Sequence, residues 1–298
     1  MGYNRQMNAT IEQFVIIFLG IFYEAVPFLT LGALVSAGIH LFIDPVWLMA
    51  KIPRNRTLAA LAGGLIGLFF PVCECGSVPA ARSFISRGAP APFGYAFALA
   101  APVINPIVLI STSVAFVGVT GWGFVWWRIG LTLLVAVVTA RLLPLQAPTT
   151  VVSTHTHTHS DDELPVLVWL RHASTDWLDM VRFLVFGAVL AAAVQVFVPN
   201  GWFLALSDNP WLAVPAMMAL AVIMAICSTV DAFVGLALLR TVAPNAVLAF
   251  LVFGPMIDLK SIPMFIGAFG TQVTVRMVAF TALLTTAACL IIGALGWV

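Results

Sequence analysis

Charged residues are scarce in this 298-residue chain: they make up 8% of it, against about a quarter in ordinary soluble domains. Hydrophobic residues make up 62%, and apolar runs of about 20 residues recur along the whole length. These runs are rich in Leu, Ala, Val and Phe without two-residue alternation, which favours bundled helices over a barrel. The sequence therefore predicts an all-α, multi-pass protein embedded in the lipid bilayer of the plasma membrane.

Other absences narrow the function. No Walker A motif is present, so active transport would need proton coupling or a separate ATPase chain. The formal net charge of +1 gives no electrostatic reason to expect nucleic acid as a partner. The four cysteines lack the spacing of a disulfide framework, and we interpret them as thiols. They are Cys73, Cys75, Cys227 and Cys289. No cofactor is predicted.

The two halves of the chain resemble each other. CGSVPAARSFISRGAPAP, which begins at Cys75, corresponds to CSTVDAFVGLALLRTVAP, which begins at Cys227, 152 residues later. AFALAAPVINP likewise corresponds to AFLVFGPMIDL, pairing Asn105 with Asp258 at a separation of 153. The agreement of the two offsets indicates a duplication. The predicted units are a first membrane repeat (1–143), a polar His-containing linker (144–176) and a second membrane repeat (177–298).

Each half carries a polar segment that interrupts an apolar run, PVCECGS in the first and ICSTVD in the second. Helix-breaking segments at corresponding positions of two repeats indicate the binding site of a transporter. We therefore predict that residues 71–79 and 226–231 are non-helical and face each other near the membrane midplane. The alternative is that they are kinks or close helix contacts between small residues.

The motifs PVCECGSVP, FGYAFALAAPVINP, CSTVDAF and LVFGPMIDLK resemble the predicted permease family typified by YraQ, to which the organoarsenical exporter ArsP belongs. The resemblance covers residues 14–297 and implies membrane transport. One departure is Val230, where a small polar residue is expected. The motif positions are Cys73, Cys75, Pro102, Asn105, Pro106, Cys227, Ser228, Asp231, Pro255, Asp258 and Lys260.

The basic residues predict the topology. Seven of them fall on one face of the membrane if each half has about three spans and one broken, re-entrant helical hairpin. An excess of basic residues marks the cytoplasmic face. The odd number of crossings makes the two repeats inverted, with both termini outside. Eight full spans with parallel halves would instead place basic residues on both faces. The residues used are Lys51, Arg54, Arg56, Arg87, Arg141, Arg171 and Arg276.

Ionisable residues inside apolar segments are costly and hint at function. A purely structural role is open for some of them, since Asp258 could pair with Lys260, and Arg82 with Glu74. The functional hypothesis is that one carboxylate takes up a proton during transport. Glu24 is the first choice, because no basic residue is adjacent to it in its span.

The cysteines of the two interruptions suggest the cargo. Thiolates prefer soft acceptors, so Cys73, Cys75 and Cys227 predict a site for a thiophilic metal ion or a trivalent arsenical. The alternatives are that cysteine is only a small buried residue, or that an organic anion meets Arg82 or Lys260. The full set of predicted substrate-binding residues is Cys73, Glu74, Cys75, Arg82, Asn105, Cys227, Ser228, Asp231, Asp258 and Lys260.

The run STHTHTHSDDE, residues 153–163, alternates His155, His157 and His159 before three acidic residues. Imidazole and carboxylate together could bind zinc or nickel. The alternative is a solvated linker, which the flanking prolines favour.

Three classes of function fit these features. A secondary transporter or exporter of a small molecule or ion is favoured by the repeats, the paired interruptions and the buried charge. An intramembrane thiol oxidoreductase would use Cys73 and Cys75, but their C-x-C spacing differs from the usual C-x-x-C. The chain could also be a membrane subunit of a larger permease complex, so a second copy or an accessory subunit are candidate partners. We predict a transporter rather than an enzyme.

Overall fold

The computed structural model describes residues 2–42, 52–53, 55–144, 165–197 and 209–296. Within these ranges the chain forms twelve α-helices and no strand, which confirms the predicted all-α fold class. Several residues used in the predictions lie outside the described ranges: Lys51, Arg54, His155, His157 and His159.

The helices follow the same order in both halves. The first half contains α1 (Gly2–Phe42), α2 (Arg56–Gly67), α3 (Glu74–Ser86), α4 (Ala91–Ile104), α5 (Pro106–Thr120) and α6 (Gly123–Leu142). The second half contains α7 (Pro165–Phe197), α8 (Pro210–Met224), α9 (Asp231–Leu238), α10 (Pro244–Met256), α11 (Ser261–Phe269) and α12 (Thr271–Leu295). Each half thus runs from a long helix through four shorter ones to another long helix.

Five segments in the described part of the chain are long and apolar enough to cross a membrane. They are Thr10–Gly38, Ala91–Thr120, Gly123–Leu142, Trp169–Phe197 and Thr271–Leu295. A sixth span results if α10 and α11, which meet at 47°, form one broken span. Each half then has three spans and a pair of short helices, α2–α3 or α8–α9, as the sequence predicts. The inverted relation of the two halves stays a prediction.

A capped break divides the second span of the first half. Asn105 lies between α4 and α5, and its Oδ1 accepts a hydrogen bond from the backbone N–H of Val108 at 2.9 Å. Pro106 follows at the first helical position, where a missing N–H costs nothing. The side-chain amide of Asn105 also donates to the carbonyl of Val72 at 3.1 Å. The break in this span is therefore tied to the segment that precedes α3.

Glycines let the helices approach closely around this region. A Cβ on Gly32 of α1 would overlap Gly76 of α3 and lie 2.8 Å from the Gly76 carbonyl oxygen. A Cβ on Gly187 of α7 would lie 2.6 Å from the carbonyl oxygen of Lys260. Small residues at helix contacts are the usual device for close packing in membranes. The long helices α1 and α7 pack together and also cover α3 and α11, respectively.

Three predicted boundaries differ from the structure. The segment predicted to be non-helical at 71–79 becomes helical at Glu74, where α3 begins, and Pro79 lies inside that helix. Proline is tolerated within membrane helices because neighbouring groups satisfy the freed backbone. The second interruption, predicted at 226–231, is non-helical at 225–230, and Asp231 opens α9. Helix α7 begins at Pro165, so residues 165–176 of the predicted linker are helical.

Candidate functional site

The first break separates α2 from α3. The backbone is extended at Cys73, which is the N-cap residue of α3, and Glu74 is the first residue of that helix. An acidic residue is favourable there because the amino end of a helix carries partial positive charge. The Ser77 hydroxyl donates to the Ala98 carbonyl at 3.1 Å and so fixes α3 against α4. The break therefore presents Cys73 and Glu74 at a rigidly held helix end.

The second break separates α8 from α9. Ala225 ends α8 in the left-handed region (φ 45°), the only such residue other than glycine in the described part of the chain. A left-handed conformation costs a non-glycine residue about 1–2 kcal/mol. Residues 225–230 then run without helix to Asp231. The strained turn directs the carboxyl end of α8 toward the interior of the bundle.

Lys260 joins the two breaks. Its Nζ lies 2.7 Å from Oε1 of Glu74 and 3.2 Å from Oδ2 of Asp258, and it donates to the carbonyl oxygen of Ala225 at 2.7 Å. Lys260 is only 3% exposed, and the two acids are each 1% exposed. We call Lys260, Glu74, Asp258 and the Ala225 carbonyl the Lys260 cluster. It brings together one element of the first half and two of the second.

The Lys260 cluster corrects one predicted pairing and agrees with another. Glu74 pairs with Lys260 and not with Arg82, because Arg82 lies two turns further along α3, about 12 Å away along the helix axis. Asp258 does pair with Lys260, and its Oδ1 also accepts a hydrogen bond from the backbone N–H of Ser261 at 2.7 Å. That second bond caps the start of α11.

Several polar atoms around the cluster are buried without a hydrogen bond. Within the described residues these are Oε2 of Glu74, the hydroxyl of Ser228 and Oδ2 of Asp258, the last of which has only its 3.2 Å ion pair with Lys260. An unsatisfied buried polar group costs about 1–3 kcal/mol. Native proteins keep few such groups, and these three belong to the start of α3, the segment 225–230 and the segment 257–260. The junction of the breaks is therefore the candidate site.

Three of the four thiols belong to chain segments that form the Lys260 cluster. All four cysteines are free and buried, which confirms that they are thiols. Cys73 and Cys75 flank Glu74 in the chain, and Cys227 lies two residues after Ala225. In the described part of the chain, no three His, Cys, Asp or Glu side chains are arranged to hold a metal ion. The thiols thus border the cluster without forming a closed metal centre.

A second buried ion pair was missed by the sequence analysis. Arg128 of α6 forms a two-fold contact with Asp231, with Nη2 2.6 Å from Oδ2 and Nη1 3.2 Å from Oδ1. Nη1 also donates to the hydroxyl of Thr112 on α5 at 2.9 Å. Arg128 has no solvent exposure and Asp231 is 2% exposed. The available signal was a lone arginine within the apolar run GFVWWRIGLTLLVAVVTA, since such residues mark functional or structural sites.

The remaining predicted residues lie apart from the cluster. Glu24 is half-buried on α1, and the structure records no hydrogen bond or ion pair for it within the described residues. Arg82 is half-buried on α3. Asn105 is buried and has the structural role described above. The structure therefore brings together the breaks, the thiols, Glu74, Asp258 and Lys260, with Asp231 held in a separate pair.

Two halves with the same order of helices, whose breaks meet at buried charges, are typical of a multi-pass membrane protein of the transporter type. The chain matches the model of the family described as "Predicted permease" (ArsP_1) over residues 10–294. It therefore belongs to this permease family and is a multi-pass protein of the plasma membrane.

Three relatives show how far the similarity extends. A Streptococcus mutans protein named "Putative two-component membrane permease complex subunit" is 34% identical over 98% of this chain and 99% of its own length. UPF0718 protein YcgR of Bacillus subtilis is 36% identical over 93% of this chain and 95% of its own. UPF0718 protein YraQ of Escherichia coli is 28% identical over 46% of this chain and 37% of its own. No solved structure matches the chain.

Proposed function

We propose that this permease is a secondary transporter that exports a thiophilic cargo, either a soft metal ion or a trivalent arsenical, along a path between the two breaks. The observation that carries the proposal is the Lys260 cluster, where the breaks of both halves meet at buried charges bordered by Cys73, Cys75 and Cys227. Groups with no hydrogen-bond partner at this junction are suited to receive a ligand.

The arrangement of the thiols fits a cargo that must be released. Cys73 and Cys75 flank Glu74 at the first break, whereas Cys227 belongs to the second break in the other half. Soft cations and trivalent arsenic both prefer sulfur ligands. Two thiols on one break and one on the other can pass the cargo across without enclosing it in a tight chelate.

The energy source in this proposal is a proton gradient, and Glu24 is the carboxylate that carries the proton. It is an ionisable group within the apolar span Thr10–Gly38, where a charge without a partner is costly. We expect Glu24→Gln to abolish gradient-driven transport into vesicles while the protein still folds. Full pH-dependent transport by Glu24→Gln would remove this residue from the mechanism.

Replacing all three site cysteines with serine tests the thiophilic cargo. We expect the triple variant to lose transport of Cd²⁺ or methylated trivalent arsenic into inside-out vesicles. Cys289→Ser is the matched control, since Cys289 is equally buried but lies on α12 outside the cluster. Transport at the wild-type rate by the triple variant would show that the cysteines do not select the cargo.

A second candidate function is that of the membrane subunit of a permease complex. The Streptococcus mutans relative, which matches nearly the whole chain, is named as such a subunit. Vesicles containing only this purified protein distinguish the two functions. Transport by the protein alone supports a self-sufficient transporter, whether monomer or homodimer. Transport that appears only after a second chain is added supports the complex.

A further inference from the structure

We propose that the ammonium group of Lys260 is a tethered cation that occupies the cargo site, and that the cargo is itself a cation which must displace it. This inference rests on the proposed function, since it assigns the charge of the cargo and the event that accompanies its binding. It favours a soft divalent metal ion over a neutral trivalent arsenical.

The surroundings of Nζ are those of a cation site. Three oxygens converge on it, from the carboxylates of Glu74 and Asp258 and from the Ala225 carbonyl, at 2.7, 3.2 and 2.7 Å. The carbonyl belongs to the carboxyl end of α8, which carries partial negative charge. Carboxylates and backbone carbonyls are also the oxygen ligands that metal cations take in proteins. The oxygens that hold the ammonium group are thus of the kind that would hold a metal cation in its place.

Ligands remain available beyond those that Lys260 uses. Oε2 of Glu74 and the Ser228 hydroxyl are buried without a hydrogen bond within the described residues. Cys75 follows Glu74 in the chain and Cys227 lies two residues after Ala225, so both thiols belong to the segments that supply the oxygens of the cluster. A cation at the position of Nζ would therefore find oxygen ligands with soft sulfur ligands beside them, a combination that selects thiophilic metals.

The position of Lys260 in the chain allows it to move. It lies in the non-helical segment at 257–260 where α10 and α11 meet at 47°. The lysine side chain is a point charge on a flexible four-carbon stem, which can reach or leave a site without unfolding a helix. Its departure is coupled to the bend, because Asp258 in the same segment caps α11.

Charge balance requires that another cation replace the Lys260 ammonium group when it leaves. If Lys260 left without a replacement, Glu74 and Asp258 would be two buried carboxylates without a counter-ion, which is strongly unfavourable. The ammonium therefore leaves only when another positive charge arrives. The movement of the segment 257–260 is thereby coupled to the binding of cargo. Without cargo the segment stays in place, because its movement would leave the carboxylates of Glu74 and Asp258 without a counter-ion.

Binding of Cd²⁺ to purified protein tests the inference, with the cadmium–thiolate absorbance band as the readout. Lys260→Gln removes the competing charge and should raise Cd²⁺ affinity on the order of tenfold or more. Arg276→Gln is the matched control, since Arg276 is exposed on α12, and should leave the affinity unchanged. Mg²⁺ in place of Cd²⁺ should give no band in any of the proteins.

Wild-type protein provides a second test, because Lys260→Gln leaves two buried acids without a counter-ion, which opposes folding. The chain contains two lysines, Lys51 and Lys260, so acylation of each is readily resolved by peptide mass spectrometry. Lys260 is 3% exposed and should be acylated slowly. Cd²⁺ should accelerate its acylation several-fold relative to that of Lys51.

The outcomes separate this inference from the proposed function. A cadmium–thiolate band in wild-type protein, with no faster acylation of Lys260 and no tighter binding by folded Lys260→Gln, overturns the tethered cation and leaves the thiophilic cargo in place. The absence of a band in every protein overturns both. Faster acylation of Lys260 with Cd²⁺ supports the exchange even if Lys260→Gln does not fold.

Discussion

The ion pair between Arg128 and Asp231 gives the sharpest test of the packing described above. Asp231→Ala would leave the guanidinium of Arg128 fully buried, with the Thr112 hydroxyl as its remaining hydrogen-bond partner among the contacts described. Breaking a buried pair by removing one partner costs about 3–5 kcal/mol. For a chain of this size, that loss corresponds to a fall in Tm of roughly 6–20 °C.

A double variant distinguishes the stability that the ion pair contributes from the penalty of leaving one buried charge uncompensated. Arg128→Met with Asp231→Leu replaces both charges by apolar groups, and such replacements are often neutral or stabilising. We expect its Tm to return to within a few degrees of the wild-type value. Arg276→Met, at an exposed position on α12, is the control and should change stability by less than about 0.5 kcal/mol.

Thermal unfolding in detergent, followed by the loss of helical circular dichroism, measures all four proteins. The reasoning is refuted if Asp231→Ala unfolds within 2 °C or so of wild type, a shift too small for a buried charge. It is also refuted if the double variant is less stable than Asp231→Ala. Either result would mean that Arg128 reaches solvent or another partner.

Three further changes test other contacts by the same unfolding measurement. Gly32→Ala should destabilise by about 1–3 kcal/mol, because its Cβ overlaps Gly76, and an unchanged Tm would disprove this close approach. Asn105→Ala removes the cap of α5 and should cost about 1 kcal/mol or more, so a neutral effect would contradict the capping role. Ala225→Gly should stabilise by about 0.5–1 kcal/mol, since relief of the left-handed strain exceeds the added chain entropy, and a lower Tm would count against strain there.

The general architecture could be predicted from the sequence because it depends on local signals. Apolar runs predict spans, and the matching segments around Cys75 and Cys227 predict the paired breaks. The start of α3 was predicted six residues too late, because residues 71–79, which include Pro79, were expected to be non-helical. Backbone satisfaction by neighbouring helices, which the sequence does not reveal, decides whether a proline ends a membrane helix.

Apart from the Asp258–Lys260 pair, whose members are two residues apart, the partners of the buried charges could not be predicted. Arg82 is the nearest base to Glu74 in the sequence that follows it, whereas Lys260 lies 186 residues further along the chain. Only the folding of α10 and α11 against the first break brings them together. Arg128 was overlooked for the same reason, since nothing near it in sequence indicated a buried acid.

The two buried ion pairs have a consequence for biosynthesis. Both pairs join the two halves, but a different half supplies the acid in each. Glu74 of the first half is paired with Lys260 of the second, whereas Asp231 of the second half is paired with Arg128 of the first. A ribosome that has inserted only the first half therefore leaves one acid and one base without their native counter-ions. These charges mark the nascent chain as incomplete until the second half arrives, so a truncated protein exposes a signal that membrane quality control can recognise.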